Sequence, residues 1–337
     1  MIIFYKLIFL FMKVFFILVC VTFFILGILG FQQPRFEMDG FAKKTSRDLR
    51  EFMASERGLW PEYYDVESVV VDSNLENLRV TYVNHATFLL QSSKYNILID
   101  PIWSDRASPV SFAGPKRVHN PYVAFEDLPA IDYVLITHGH YDHLDVPTLR
   151  KLKKSFDPVF VVGLGIENVL FSNLGTDTHV ESLGWGEALD LPGLDAFIFE
   201  TAFHWSKRGL FDYNDTLWGS FVVRLDGKTL YHAGDTGYWT HFKEIGSRYE
   251  IDLAMLPVGD YEPRWFMGQS HMNPLEAFDA MRDLGAASAV GMHFGTFQLA
   301  SNSYQQVLDD FSVAALQNND LDFVLPLSRD TLEIDIY

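Results

Sequence analysis

The chain predicts an α/β body of two mixed β-sheets packed face to face with helices outside, preceded by one N-terminal membrane helix. Three observations predict it. Short β-rich runs recur from Leu78 to the C-terminus, and several end directly at a histidine or an aspartate. A few capped helices separate them. Ahead of the body, Val14 to Phe31 (VFFILVCVTFFILGILGF) carries no charged residue. With 337 residues the chain is long enough to bury a large core. The expected organisation is an anchor over 1–31, a connector over 32–75 and one hydrolytic domain over 76–337.

The apolar run is about as long as a hydrocarbon core of ~30 Å requires. A cleaved signal peptide would have a shorter apolar region and a small-residue cleavage site. Ile28-Leu29-Gly30 is a poor version of such a site. The expectation is therefore a membrane protein with a single-pass N-terminal anchor. Lys6 and Lys13 before the span favour a cytoplasmic N-terminus, whereas Arg35, Lys43, Lys44, Arg47 and Arg50 after it favour a cytoplasmic body. The side of the membrane stays open. Residues from about Gln32 to Val71 read as a polar connector with helical turns over Thr45 to Glu56, broken at Gly58–Pro61.

In the body, Leu78 to Val83, Thr87 to Gln91 and Asn96 to Asp100 read as successive strands joined by tight turns. Tyr133 to Thr137 is a buried strand that runs straight into His138. Later strands are expected over Ala196 to Glu200, Ser220 to Leu225, Thr229 to Ala233, Leu253 to Val258, Ala289 to His293, Phe323 to Leu327 and Thr331 to Ile336. Helices are expected over Val146 to Ser155, with Pro147 in its first turn, over Asn273 to Leu284, between an Asn-Pro cap and Gly285, and over Ser303 to Gln317.

Composition excludes several functions. The formal net charge is −18, from 44 acidic against 26 basic side chains. Nucleic acid is not an expected partner, because binding it needs a basic footprint. The one cysteine, Cys20, lies in the apolar run, which excludes an intrachain disulfide and argues against thiolate metal ligation in the body.

The chemistry concentrates in Leu135-Ile-Thr-His-Gly-His-Tyr-Asp-His143. Three imidazoles and a carboxylate within six residues, on the turn that follows a buried strand, can share one pocket. Imidazole suits zinc, and a carboxylate supports a second cation. A polar loop would also contain histidines, but the whole chain has only 11. His204, Asp235 and His293 each lie just beyond a strand end, where one rim of a two-sheet body collects them. Asp100, also at a strand end, fits an acceptor that orients a ligand imidazole. His85, His119, His179, His232 and His241 read as structural or surface residues.

THGHYDHLD resembles the HxHxDH signature of the metallo-β-lactamase fold. Further blocks narrow the resemblance: DPIWSDRASPVSFAGPKR (Asp100 to Arg117), HWSKR (His204 to Arg208), LWGSF (Leu217 to Phe221), AGDTGY (Ala233 to Tyr238), YEPRWFM (Tyr261 to Met267) and HFGTF (His293 to Phe297). In this order, from about Leu78 to Asn302, they are similar to the N-acyl-phosphatidylethanolamine-hydrolysing phospholipase D family. The resemblance implies a metallo-β-lactamase-like αββα sandwich and two Zn2+ ions per chain. It implies one zinc on His138, His140 and His204, another on Asp142, His143 and His293, and Asp235 bridging them. The catalytic candidates are Asp142, Asp235 and His271. His271 would assist proton transfer or grip the substrate, and its bland alternative is a structural bond at the approach to a helix. A plain N-terminal span is a departure from the family pattern.

The implied reaction is hydrolysis of N-acyl-phosphatidylethanolamine, or a related membrane phospholipid, to N-acylethanolamine and phosphatidic acid by a metal-bridging hydroxide. Trp205, Phe211, Tyr261, Trp265, Phe266 and Met267 would form an apolar lip for the lipid, with ordinary core packing as the alternative. The rival is a lactonase-like metal-dependent hydrolase of a soluble substrate on the same fold. A catalytically idle scaffold would lack a ligand, and all seven are present. A homodimer is compatible with the sequence.

Overall fold

A computed structural model describes residues 35–72, 77–193 and 195–337. The anchor expected over 1–31 lies outside the described residues. Among the described residues no helix is long and apolar enough to cross a membrane.

Among the described residues, fourteen strands form two seven-stranded sheets. The chain first lays down β1 (Leu78–Asn84), β2 (Thr87–Gln91), β3 (Asn96–Ile99), β4 (Tyr133–Ile136), β5 (Val159–Gly163) and β6 (Val180–Leu183). It then builds the second sheet from β7 (Glu187–Asp190), β8 (Ala196–Glu200), β9 (Ser220–Leu225), β10 (Lys228–His232), β11 (Leu253–Pro257), β12 (Ser288–Met292) and β13 (Phe323–Val324). Finally β14 (Glu333–Ile336) returns to the first sheet beside β1, so the orders are β14-β1-β2-β3-β4-β5-β6 and β13-β12-β11-β10-β9-β8-β7. Each sheet is half antiparallel and half parallel: β3 to β6 run parallel in one, β10 to β13 in the other. Parallel pairs need crossovers. The crossovers supply helices α2 (Val146–Phe156) and α3 (Ile166–Leu174) on the first sheet, and α4 (His241–Arg248) and α6 (Pro274–Leu284) on the second. Among the described residues the remaining α-helices are α1 (Ser46–Met53), α5 (Arg264–Met267), α7 (Tyr304–Gln317), which lies in the β12–β13 crossover, and α8 (Arg329–Leu332).

Most of the strands that end at the site are largely apolar, as strands covered on both faces tend to be, although β10 opens with half-buried Lys228 and Thr229. All five residues of β8 and of β11 are buried. The inner faces meet through contacts such as Tyr133 of β4 against Phe197 of β8, with ring centroids 5.0 Å apart. One hydrophobic cluster takes in both sheets and the helices over them. The metallo-β-lactamase-like two-sheet architecture is therefore present.

Four local expectations change. No element was expected between Ser155 and Ala196, yet β5, α3, β6 and β7 fill that stretch. Val159–Gly163 is a short apolar run, which periodicity alone does not separate from a helix segment. The last strand begins at Glu333 rather than Thr331, because Thr331 Oγ1 accepts the Leu327 and Ser328 backbone N–H groups and closes the turn of α8. The strand expected over Phe323 to Leu327 ends at Val324. The described part of the connector is tied to the body by backbone hydrogen bonds. The Gly58 N–H bonds to Ser301 O at 2.9 Å, Tyr64 N–H to Val118 O at 2.8 Å and Val69 N–H to Tyr122 O at 2.7 Å.

Candidate metal centre

Both parallel halves of the sandwich send their strand ends to one rim. Asp100 follows β3, and His138, His140, Asp142 and His143 follow β4. His204 follows β8, Asp235 follows β10, Asp260 follows β11 and His293 follows β12. The backbone there is held in a rare conformation. Seven described non-glycine residues have positive φ, and four of them belong to this rim: His85 (50°), Asp100 (44°), Asp260 (56°) and His293 (57°). Such residues persist only where their surroundings over-determine them, and they cluster at functional sites. Gly234, beside Asp235, has a φ of 60°, and a Cβ there would stand 2.6 Å from Gly219 O. Only glycine fits that approach.

The seven expected donors do converge. His138, His140, His204 and Asp235 offer ligand atoms all within 4.8 Å of one another. A second group joins Asp142, His143 and His293 with His85, again within 4.8 Å. Asp235 lies between the groups. Its Oδ2 is 3.6 Å from His138 Nε2 and 3.8 Å from His204 Nε2, while its Oδ1 is 3.2 Å from His143 Nε2 and 3.1 Å from His293 Nε2.

Contacts on the far side of four of the five rings bear on which nitrogen faces the centre. Asp100 Oδ2 accepts from His143 Nδ1 at 2.7 Å and from the Thr137 hydroxyl at 2.7 Å, and Oδ1 accepts the Thr137 backbone N–H at 2.8 Å. The Thr137 hydroxyl oxygen in turn lies 3.0 Å from His138 Nδ1. His204 Nδ1 donates to Ser270 O at 3.2 Å, and His293 Nδ1 lies 3.2 Å from Asp260 Oδ2. These four rings therefore turn an Nε2 lone pair inward. His140 alone presents Nδ1, 2.8 Å from His138 Nε2 and 3.3 Å from His204 Nε2. One proton at most can serve three such nitrogens, and the Asp235 carboxylate stands beside them. Buried His143 Nε2 and Asp235 Oδ1 have no hydrogen-bond partner at all. Unpaired lone pairs facing one another under burial are costly, and a cation in each group would satisfy them. The donor set fits zinc or a similar borderline ion.

The proton affinities carry the same message. Burial disfavours charge on His143, but Asp235, Asp142 and Asp100 overcome it and hold the imidazole well above its usual range. His293 is raised likewise, against burial, by Asp235 and Asp142. Burial opposes ionisation of Asp142 and Asp235, yet the neighbouring histidines keep both carboxyls well below the ordinary carboxylate range. In the other group burial dominates: His140 is pushed down to about 4, and His138 and His204 lie well below their usual value. The pocket thus sets anionic carboxylates against two imidazoles that favour a positive charge, His143 and His293, and three that burial keeps neutral.

His271 is buried at the same rim, its ring centroid 5.4 Å from that of His204 and 5.1 Å from that of His293. Its loop is anchored by Arg264, which donates to His271 O at 3.1 Å and pairs with Glu276 in the first turn of α6 at 2.6 Å. His271 Nδ1 is buried without a partner. The connector presses on the same loops. Phe41 meets Phe203 at 5.3 Å, and Phe52 of α1 stacks on Phe266 at 4.4 Å.

The apolar lip divides. Trp205 lies against His140 at 4.6 Å, and Phe211 and Trp265 are exposed. Tyr261 and Met267 are buried and belong to the core, and Phe266 is largely covered by Phe52. Of the histidines expected to be structural or on the surface, His119, His232 and His241 are buried away from the donor groups and His179 is on the surface. His85 is different, since it lies inside the second donor group. Asp260 is a second residue that the sequence did not single out. A histidine in a two-residue turn between apolar strands, where glycine or asparagine is usual, was the available signal for His85.

A family profile described as beta-lactamase superfamily domain matches residues 95–294. With this site, it makes the chain a metal-dependent hydrolase of the metallo-β-lactamase superfamily. The chain is 34% identical over 265 residues to N-acyl-phosphatidylethanolamine-hydrolyzing phospholipase D 1 of Caenorhabditis elegans, covering 75% of this chain and 74% of that protein. It is 35% identical over 242 residues to the mitochondrial N-acyl-phosphatidylethanolamine-hydrolyzing phospholipase D of Saccharomyces cerevisiae, covering 68% of this chain but only 51% of that protein. Among solved structures, Igni18, a metallo hydrolase from Ignicoccus hospitalis, superposes with a TM-score of 0.57 at 22% identity, over 77% of this chain and 100% of its own; that likeness shows the fold. The chain belongs to the N-acyl-phosphatidylethanolamine-hydrolysing phospholipase D-like family of the superfamily.

Proposed function

We propose that this chain is a two-zinc phosphodiesterase that hydrolyses N-acyl-phosphatidylethanolamine, or a related membrane phospholipid, to N-acylethanolamine and phosphatidic acid. The observation that carries the reading is the pair of adjoining donor groups around one shared carboxylate, Asp235. His138, His140 and His204 would hold one cation, Asp142, His143 and His293 the other, and Asp235 would touch both. When bound, such a pair neutralises phosphate oxygens and lowers the pKa of water at neutral pH.

The chain's own residues do the rest. Asp100, Thr137, Ser270 and Asp260 fix the ring orientations, which keeps the donors preorganised. Water adds its oxygen to phosphorus, the bond from phosphorus to the ethanolamine oxygen breaks, and that oxygen takes up a proton. His271 is placed to hold that proton, with a buried Nδ1 that no protein group occupies. Trp205, Phe211 and Trp265 give the rim an apolar, partly exposed border suited to acyl chains. The relatives' named activity supports the lipid as substrate, and the apolar run over 14–31 supports attachment to a membrane.

The test is turnover by the full chain on vesicles of N-acylated phosphatidylethanolamine, with both products identified. Phosphatidylethanolamine and a soluble lactone are the controls. Release of N-acylethanolamine together with phosphatidic acid is expected. Lactone turnover with the lipid left intact would assign the chain to the soluble-substrate reading instead.

A further inference from the structure

We infer that His85 is a positioning residue of the second donor group: it donates its Nε2–H to Asp142 and aims that carboxylate, without being a metal ligand itself. This rests on the two-cation reading of the site but not on the identity of the substrate.

His85 Nε2 is 3.0 Å from Asp142 Oδ2, closer than His293 Nε2 at 3.2 Å or His143 Nε2 at 3.4 Å. By distance alone, His85 could be a ligand like the other two. The opposite side of the ring decides. His143 Nδ1 is hydrogen-bonded to Asp100 Oδ2, and His293 Nδ1, although it makes no hydrogen bond, has the Asp260 carboxylate within 3.2 Å. A ligating imidazole carries its proton on the far nitrogen and almost always has an acceptor near it, His140 being the exception in this pocket. His85 Nδ1 is buried and has no hydrogen-bond partner. If His85 ligated through Nε2, its proton would sit on Nδ1 as a buried, unpaired N–H. With the proton on Nε2, only a lone pair is left unpaired at Nδ1, which is the less costly arrangement. The ring also meets Phe297 edge-on at 5.3 Å.

The backbone shows that this ring is placed. His85 sits in the turn between β1 and β2 with φ at 50°, a conformation unusual for histidine. Its N–H donates to Thr296 Oγ1 at 2.9 Å, and its C=O accepts the His293 N–H at 2.8 Å. The HFGTF segment therefore clamps His85 from both sides. The first strand turn and the last ligand are built as one unit, and Asp142 is held between them.

Two substitutions separate donor from ligand. In His85→Asn the side chain tolerates the left-handed backbone but is too short to reach Asp142. In His85→Gln the amide nitrogen can occupy the place of Nε2 and donate again. Zinc binding to the metal-stripped full chain is the readout, beside thermal unfolding of the metal-free protein. We expect His85→Asn to weaken one of the two zinc sites about 10–100-fold and leave the other unchanged, with His85→Gln recovering most of the loss. Wild-type affinity at both sites in His85→Asn, or equal weakening of both, would overturn the inference. So would a folded His85→Gln no better than His85→Asn. Should a variant not fold, the unsubstituted chain loaded with cadmium-113 and carrying nitrogen-15 histidine answers the same question. Cadmium coupling is expected at His143 and His293 and not at His85, and coupling at His85 would make it a ligand. These readouts stand apart from lipid turnover, so an inactive enzyme on N-acylated lipid leaves the His85 result intact.

Discussion

The two halves of the metal centre differ in what supports them. In the half made by His138, His140 and His204, the acceptors behind the rings are neutral: the Thr137 hydroxyl and the Ser270 carbonyl. His140 has no such acceptor, and its Nε2 is buried and unpaired. In the half made by Asp142, His143 and His293, the groups behind the rings are carboxylates: Asp100 accepts from His143, Asp260 lies 3.2 Å from His293 Nδ1, and His85 hydrogen-bonds Asp142. A carboxylate behind an imidazole makes it a stronger donor than a neutral oxygen does. Burial lowers the imidazoles of the first half, whereas carboxylates raise those of the second. One pocket thus presents a softer three-imidazole face and a harder, more anionic one. Asp100 couples them, touching His143 directly and His138 through Thr137.

Removing the shared group should break the comparison outright. Asp235→Asn is expected to abolish nearly all turnover and to reduce metal content in both halves, as read by elemental analysis of the purified variant. A variant with both metals and full activity would dismiss Asp235 as the common ligand. Next in size is His271, which forms a third donor group with Asp235 and His293. His271→Gln is expected to lower turnover by about 10²–10⁴-fold, the usual weight of a proton donor, while both metals stay bound. Metal loss in that variant would move His271 into the ligand set. The halves themselves are told apart by Asp260→Asn and Thr137→Val. The first should weaken one site about 10–100-fold. The second should weaken the opposite site by less, because the acceptor it removes is neutral. Equal effects on the same site would remove the distinction.

The smallest effect lies outside both halves. Burial pushes His241 down to about 3 and His119 down to about 4, from an unfolded value near 6.5. Below pH 6.5 the unfolded chain takes up protons that the folded chain refuses. The stability these neutral rings allow is therefore complete above about 6.5 and is lost as pH falls toward 4 and 3. His241→Leu should flatten that acid limb in denaturant titrations and change little at neutral pH. An unchanged limb would show that His241 titrates normally.

Much of the centre was legible in the sequence because strand ends can be read from apolar runs that stop at a polar residue. Tyr133 to Thr137 stops at His138, and Ala289 to Met292 stops at His293. Once two sheets are assumed, such ends share a rim. What was not legible depends on contacts between distant segments. His85 meets Asp142 across 57 positions, and Asp260 meets His293 across the β11–β12 pair. Both adopt left-handed backbone that a histidine or an aspartate does not advertise. The stretch from Val159 to Asp190 was missed for a local reason, since its strands are too short to show a period. The lip was over-read because Tyr261 and Met267 sit in the same motif as exposed Trp265, and sequence order does not separate a buried aromatic from an exposed one.

The most direct measurement is a zinc titration of the metal-stripped full chain, followed to saturation with a spectroscopic competitor. Binding should end at two equivalents per chain, with the two sites of unequal affinity. Saturation at a single equivalent would contradict a centre built from two donor groups on either side of Asp235.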